Sequence, residues 1–285
     1  MTEVTLPLTI NDALRQARAL GLDRLDAQLL LLLALERPVQ DRAWLLAHDQ
    51  DALAAQAQAR FAALLARRAE GEPLAYITGQ REFFGLNLAV DPRVLIPRPD
   101  TETLVNWALE LLPAALNGSA PPQRVLDLGT GSGAIALALK AQRPQLRVVA
   151  LDQSEAALAL ARANADRLGL TIDFRHGNWL DGVHDRYQLI VANPPYIADT
   201  DPHLAALRHE PLQALSAGAD GLQDLRTIIA GAARCLAPAG WLLLEHGYDQ
   251  AGSVSTLLEA AGFSQVQSRE DLAGIARCSG GQRPG

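Results

Sequence analysis

The chain has 285 residues, 49% apolar and 20% charged, so it is neither disordered nor collagen-like. At about 150 residues per domain it is long enough for two domains. Its 25 basic and 32 acidic residues leave a net charge of −7, with Lys140 the sole lysine, whereas a chain that grips nucleic acid through phosphates carries a basic excess. Direct binding of nucleic acid is therefore not expected. Cys235 and Cys278 are too few for a disulfide framework or a zinc site, and no metal is expected. Met1 to Ile10 lacks the basic region of a signal peptide. The most apolar run, Ala27 to Leu35, is too short to cross a bilayer core of about 30 Å. Both features point to a soluble, cytoplasmic protein with no membrane partner.

In chain order, residues 9 to 70 read as successive helices. Thr9 or Asn11 caps a segment ending at Gly21, and Asp23 caps one that carries the leucine run. Asp41 caps Arg42 to Ala47, and a longer segment from about Leu53 to Glu70 stops at Gly71 and Pro73. Singly these helices are too short to be stable, which predicts a small bundle over residues 1–80. The period then changes. Phe84, Leu86, Leu88 and Val90 alternate, Asp91-Pro92-Arg93 offers a turn, and Val94 to Ile96 runs back, predicting a hairpin linker over 81–100. Pro97 and Pro99 stiffen the approach to a helix from Thr101 to Leu111, and Asn117 to Gln123 reads as a loop.

From Arg124 to the end, strands and helices alternate. Strands are expected at Val125–Leu128, Val148–Asp152, Tyr187–Ala192 and Trp241–Glu245, with short ones near Phe263–Gln267 and Ile275–Cys278. Helices are expected at Ala134–Ala141, Ser154–Leu168, Leu222–Leu236 and Ser253–Ala261, and Gly280 to Gly285 reads as a loose tail. Such alternation predicts an α/β domain over 101–285, a largely parallel sheet with helices on both faces.

Ligands of open α/β sheets bind outside the carboxyl ends of the strands. The first strand runs into Gly129-Thr130-Gly131-Ser132-Gly133, where glycines allow a tight turn and close approach of a ligand. The second ends in Asp152, a carboxylate placed to accept both hydroxyls of a ribose. Together they predict a nucleoside-bearing cofactor. A nicotinamide cofactor stays open, because Gly129-x-Gly131-x-x-Ala134 also fits the dinucleotide fingerprint. No lysine follows the turn as a phosphate-binding loop requires, and no zinc-protease or serine-hydrolase motif is present.

The segment that decides the chemistry is Asn193-Pro194-Pro195-Tyr196, directly after a buried strand. Two prolines fix the turn and remove two amide donors. The Pro194 carbonyl and the Asn193 side chain can hold the two hydrogens of a planar NH₂ group, on which the Tyr196 ring can lie. This suits transfer of a group to an amide or exocyclic amino nitrogen.

The glycine turn, the acid on the next strand and N-P-P-Y resemble the S-adenosylmethionine-dependent amino-methyltransferases. Ile96-Pro97-Arg98-Pro99-Asp100-Thr101-Glu102, the turn from Asp127, and Leu243-Leu244-Glu245-His246-Gly247 narrow the resemblance to the HemK/PrmC family. It implies a Rossmann-like S-adenosylmethionine-dependent methyltransferase sheet and a small all-helical amino-terminal domain joined by a β-hairpin. It implies transfer of methyl from S-adenosyl-L-methionine, leaving S-adenosyl-L-homocysteine, to the side-chain amide N5 of the glutamine in the Gly-Gly-Gln motif of peptide chain release factors, which tunes translation termination. The alternative is an N6-adenine or other nucleic-acid amino-methyltransferase, which shares the N-P-P-Y pocket. By the resemblance, Gly129, Thr130, Gly131, Ser132 and Gly133 line the methionine part of the cofactor. Asp152 binds the ribose, and Asn178 and Trp179 sit by the adenine. Asn193 touches cofactor and substrate, while Pro194, Pro195 and Tyr196 complete the glutamine pocket. One departure is Asn178, where the family usually carries Asp; an asparagine still accepts from an adenine amino group. The bundle is expected to hold the release factor.

Overall fold

The computed structural model describes residues 8–112 and 122–285. The first seven residues of the segment read for a signal peptide, and most of the Asn117 to Gln123 loop, lie outside the described residues. The chain divides into two compact units, up to Gly79 and from Gln80 onward.

The first unit is helical: α1 (Ile10–Ala19), α2 (Arg24–Ala34), α3 (Arg42–Ala47), α4 (Ala55–Ala69) and α5 (Leu74–Thr78). Thr9, not Asn11, caps α1 in a reciprocal box, with Thr9 Oγ1 accepting from the Asp12 amide at 3.1 Å and Asp12 Oδ2 from the Thr9 amide at 3.2 Å. Asp23 caps α2 by accepting from the Asp26 amide at 2.9 Å. Asp41 precedes α3 but does not cap it, because its carboxylate is taken by Arg37 Nη2 at 2.7 Å. The leucine run supplies the core: Leu30, Leu31 and Leu32 are fully buried against Ile10, Leu45, Phe61 and Leu65. Asp26, also buried, is neutralised by Arg68 of α4 at 2.7 Å. The single turn α5, five residues after Pro73, is too short to show a helical period in the sequence.

The second unit opens with a hairpin, β1 (Gln80–Phe83) and β2 (Leu86–Ala89), whose turn is Phe84-Gly85. The strand expected from Phe84 thus starts at Leu86, and Val94 to Ile96 is not a strand; Asp91 does open the expected turn, its carbonyl accepting from the Val94 amide at 3.1 Å, but that turn follows β2 instead of closing the hairpin. Phe84 and Gly85 both have positive φ, 51° and 77°, as the tight hairpin turn demands. The costly left-handed Phe84 is held by its amide, which donates to Glu102 Oε1 at 3.1 Å.

A 3₁₀ turn, Pro99–Thr101, leads into α6 (Glu102–Leu111). Then follow β3 (Arg124–Leu128), α7 (Ala134–Gln142), β4 (Arg147–Asp152), α8 (Glu155–Leu168), β5 (Asp173–His176), β6 (Tyr187–Ala192), α9 (Gln223–Cys235), β7 (Leu236–Glu245), α10 (Ala251–Ala260), β8 (Ser264–Glu270) and β9 (Ala276–Gln282). They form a seven-stranded sheet in the order β5-β4-β3-β6-β7-β9-β8. The strands from β5 to β7 are parallel, and β9 runs antiparallel to both of its neighbours. Alternate strand residues face opposite helical layers: Val125, Val148, Val191 and Leu243 pack with α6 and α7, and Leu126, Val149, Ile190 and Leu244 with α9 and α10.

Two further expectations are corrected. Strand β5 was not anticipated, since Asp173, Arg175 and His176 are exposed on an edge and give no apolar alternation. The tail expected over Gly280 to Gly285 is strand as far as Gln282: Gly280 and Gly281 pair with Leu243 and Leu242 in β7, and only the last three residues lie beyond it. A Cβ on Gly280 would lie 2.7 Å from the Leu242 carbonyl oxygen and 2.9 Å from the Trp107 ring, so only glycine allows this approach. Among the described residues no helix is long and apolar enough to cross a membrane, and no cluster of His, Cys, Asp and Glu is assembled that could hold a metal ion.

Candidate active site

The chain lays down β3, β4 and β5 outward, then returns to place β6 on the other side of β3. The connections that leave β3 and β6 therefore diverge, and a crevice opens at the carboxyl ends of the strands. Every site residue expected from sequence stands at one of these ends.

After β3, Gly129, Gly131 and Gly133 take φ of 67°, 55° and 85°, a left-handed series that only glycine adopts without strain. The turn is anchored at several points. The amides of Gly129 and Thr130 donate to the Leu151 carbonyl at 2.8 and 3.0 Å, and Gly131 N donates to Asp152 Oδ2 at 2.8 Å. Asp127, wholly buried beneath the turn, accepts from Thr130 Oγ1 at 2.7 Å and from the Ala136 amide at 3.1 Å. Burial pushes its carboxyl up to about 7 against those two hydrogen bonds, with nearby Asp152 adding to the rise.

At the end of β4, Asp152 also accepts from the Ser154 amide at 2.8 Å, and burial raises its titration. After β5, Asn178 and Trp179 bend across the crevice. The Trp179 ring lies over Gly129, where a Cβ would come within 3.2 Å of it, and its indole N–H donates to Asp224 Oδ1 at 3.0 Å.

After β6 comes the proline turn. Asn193 Nδ2 donates to Thr101 Oγ1 at 3.2 Å, while Asn193 Oδ1 is buried with no hydrogen-bond partner. Pro194 and Pro195 are buried. The Tyr196 ring packs against the apolar layer under α9 and α10, where burial raises its phenol, and its carbonyl accepts from Gln250 Nε2 at 3.0 Å.

One cavity of about 930 Å³, its open mouth included, joins these ends. Gly129, Thr130, Gly131, Ser132, Asp152, Asn178, Trp179, Asn193 and Pro195 all line it. Gly133, Pro194 and Tyr196 do not. Gly133 is packed beneath, where a Cβ would lie 3.0 Å from Leu137 and 3.3 Å from Ala161. Val94, Leu95, Pro97 and Arg98 form the opposite wall, and Glu210, buried, accepts from the Ile96 amide at 3.1 Å and from Arg98 Nη2. The lining, a bare glycine backbone with a carboxylate and an indole face, suits a nucleoside-bearing ligand.

Comparison with known proteins agrees with this architecture. A family model described as the methyltransferase small domain matches residues 104–267, and one described as the PrmC N-terminal domain matches residues 9–79. The chain is 52% identical over 278 residues to the release factor glutamine methyltransferase of Burkholderia pseudomallei, covering 94% of this chain and 95% of that one. It is 49% identical over 277 residues to the enzyme of the same description from Xylella fastidiosa, covering 96% and 98%. The chain belongs to the release factor glutamine methyltransferase family. A solved methyltransferase from Pyrococcus furiosus shares the fold at a TM-score of 0.54 with 18% identity, over 80% of this chain and 99% of that one.

In this member of the release factor glutamine methyltransferase family, sequence reasoning assigned no role to three polar residues at the site. Asn164 of α8, fully buried, accepts from the Ala89 amide at 2.7 Å and donates to the carbonyls of Ala89 at 3.0 Å and Ser132 at 2.9 Å. It stitches the hairpin to the glycine turn. A lone asparagine on an otherwise apolar helix face was its only signal. Thr101 and Glu245, the other two, are buried beside Asn193 at 4% and 1% exposure.

Proposed function

We propose that the chain transfers a methyl group from S-adenosyl-L-methionine to the N5 side-chain amide nitrogen of the glutamine in the Gly-Gly-Gln motif of peptide chain release factors. The observation that carries this reading is Asn193, a residue that lines the cavity where β6 ends and whose buried Oδ1 has no hydrogen-bond partner. A buried carbonyl left unpaired is costly, and an NH₂ group supplied by a substrate would satisfy it. The residues also fit the cofactor. The glycine turn leaves its backbone bare, Asp152 offers a carboxylate at the ribose position, and Trp179 offers an apolar face.

The cofactor supplies a sulfonium methyl, and the chain supplies position. An amide nitrogen is a poor nucleophile because its lone pair is delocalised into the carbonyl, and no strong base lines the cavity. Asn193 Oδ1 would hold one amide hydrogen, and the Pro194 carbonyl, which does not line the cavity without substrate, would take the other once substrate is seated, turning the nitrogen lone pair to the methyl carbon. When bound, the cofactor would give up its methyl as the N–C bond formed and the S–C pair stayed on sulfur, and the surplus proton on nitrogen would pass to water. The two acceptors favour the positive charge that builds on nitrogen, as preorganised dipoles do elsewhere.

One glutamine offers little surface for selection, while protein partners usually bury about 800 Å² a side, so the helical unit is assigned to holding the release factor. That substrate places the reaction in the cytoplasm. The test is transfer of labelled methyl to a purified release factor, with the same factor lacking its Gly-Gly-Gln glutamine, DNA and RNA alongside. Label on the intact factor alone supports the reading. Label on nucleic acid would replace it with the amino-methyltransferase alternative.

A further inference from the structure

We propose that Thr101 and Glu245 are positioning residues that fix the orientation of the Asn193 side-chain amide, holding Oδ1 rather than the NH₂ toward the reacting nitrogen. The proposal rests on the function proposed above, because only an incoming NH₂ group makes that orientation matter.

The geometry begins with strand register. Ala192 of β6 pairs with Leu244 of β7, so the next residues, Asn193 and Glu245, stand side by side where the two strands end. Glu245 is 1% exposed, and among the described residues no Arg or Lys forms an ion pair with it. A carboxyl so placed costs stability; hydrogen bonding from Thr101 and Asn193 eases its ionisation, while its Oε2 is left buried without a partner. Thr101 reaches the same spot from the 3₁₀ turn between Pro99 and α6.

Donor and acceptor counting then sets the direction of every bond. A carboxylate only accepts, so the single hydroxyl hydrogen of Thr101 goes to Glu245. Thr101 Oγ1 is left with lone pairs, and the group that faces it at 3.2 Å must be the Asn193 NH₂. Asn193 Oδ1 is thereby turned away from both partners and has none of its own. The flipped amide would set its oxygen against the carboxylate and offer hydrogens to a substrate that itself has only hydrogens to give. Glu245 thus acts through Thr101 and Asn193 without touching substrate. Burial, with Asp100 adding, lifts its titration to about 7 against the hydrogen bonds from Thr101 and Asn193 and the charge of Arg277, so the carboxylate prevails in mildly alkaline buffer.

The test compares Glu245→Gln, Thr101→Val and Thr101→Ser in that buffer, with release factor as substrate and with cofactor binding measured by calorimetry. In Glu245→Gln the new amide can donate to Thr101, which can then donate to Asn193 and reverse its flip. We expect Glu245→Gln and Thr101→Val to lose roughly 10- to 100-fold in kcat, as misplaced reacting groups do. Cofactor affinity should be unchanged, and Thr101→Ser, which keeps the hydroxyl, should retain most of the wild-type rate. Thermal melts confirm folding, and Thr101→Ala replaces Thr101→Val should the valine not be accommodated. Wild-type kcat in folded Glu245→Gln or Thr101→Val would overturn the proposal. So would a parallel loss of kcat and cofactor affinity, which a merely structural role gives, or a Thr101→Ser variant as slow as Thr101→Val. Absence of transfer by the wild-type chain would overturn the proposed function itself, and the positioning role with it.

Discussion

The amide of Gly131 donates to Oδ2 of Asp152 at 2.8 Å, latching the glycine turn after β3 to the acid that ends β4. The other oxygen of Asp152 accepts from the Ser154 amide at 2.8 Å, so one carboxylate orients both the turn and the start of α8. In Asp152→Asn the new NH₂ must face one of these two amide hydrogens. Losing a hydrogen bond to a charged group costs about 1.5–3 kcal/mol, roughly 10- to 100-fold in affinity. Calorimetry with S-adenosyl-L-methionine should show that weakening in Asp152→Asn.

Asn164 supports the same turn from below. Its side chain serves as a missing strand neighbour for Ala89 while holding the Ser132 carbonyl. Asn164→Leu leaves an amide and two carbonyls unsatisfied in the interior, and should cost about 2–4 kcal/mol. Urea unfolding measures it, and a loss under about 0.5 kcal/mol, typical of an inconsequential surface site, would mean that the stitch is idle.

Asp127 and Glu245 give a pH dependence whose sign is fixed by burial. Both carboxyls titrate at about 7 in the fold, against 3.8 and 4.5 for the unperturbed groups. The folded state keeps their protons where the unfolded chain has released them, so these two groups lower stability as pH rises from about 4 to about 7. Asp127→Asn should flatten part of that slope in thermal melts recorded across this range. An unchanged slope would show that Asp127 is ionised throughout.

On the helical unit, Leu46 is 61% exposed and lines a groove with Leu14, Leu45, Arg15, Arg18 and Arg24. If this unit holds the release factor, Leu46→Asp should raise KM for the whole factor about 10-fold, the cost of one anchoring residue. KM for a short glutamine peptide should stay unchanged. An equal rise for both substrates would assign the unit a purely structural part.

The alternation of strand and helix after Arg124 was legible because buried parallel strands are apolar throughout, and the glycine turn because left-handed φ leaves few other residues possible. The Phe84-Gly85 turn was not, since a phenylalanine at φ 51° contradicts its own preference and is held by Glu102, far along the chain. Gly280 and Gly281 read as a tail because glycine is also what loose ends carry; only the closeness of Leu242 and Trp107 shows why glycine is needed. The Asn193–Glu245 neighbourhood depends on the register of β6 against β7, which no local pattern encodes.

The most direct test of the account is peptide mass spectrometry of a release factor incubated with S-adenosyl-L-methionine and either the wild-type chain or Asn193→Ala. A single added methyl on the side-chain amide of the Gly-Gly-Gln glutamine is expected, formed by the wild type and slowed by roughly 100-fold or more in Asn193→Ala, as when a preorganised dipole is removed. A methyl on any other residue, or equal rates for the two proteins, would contradict it.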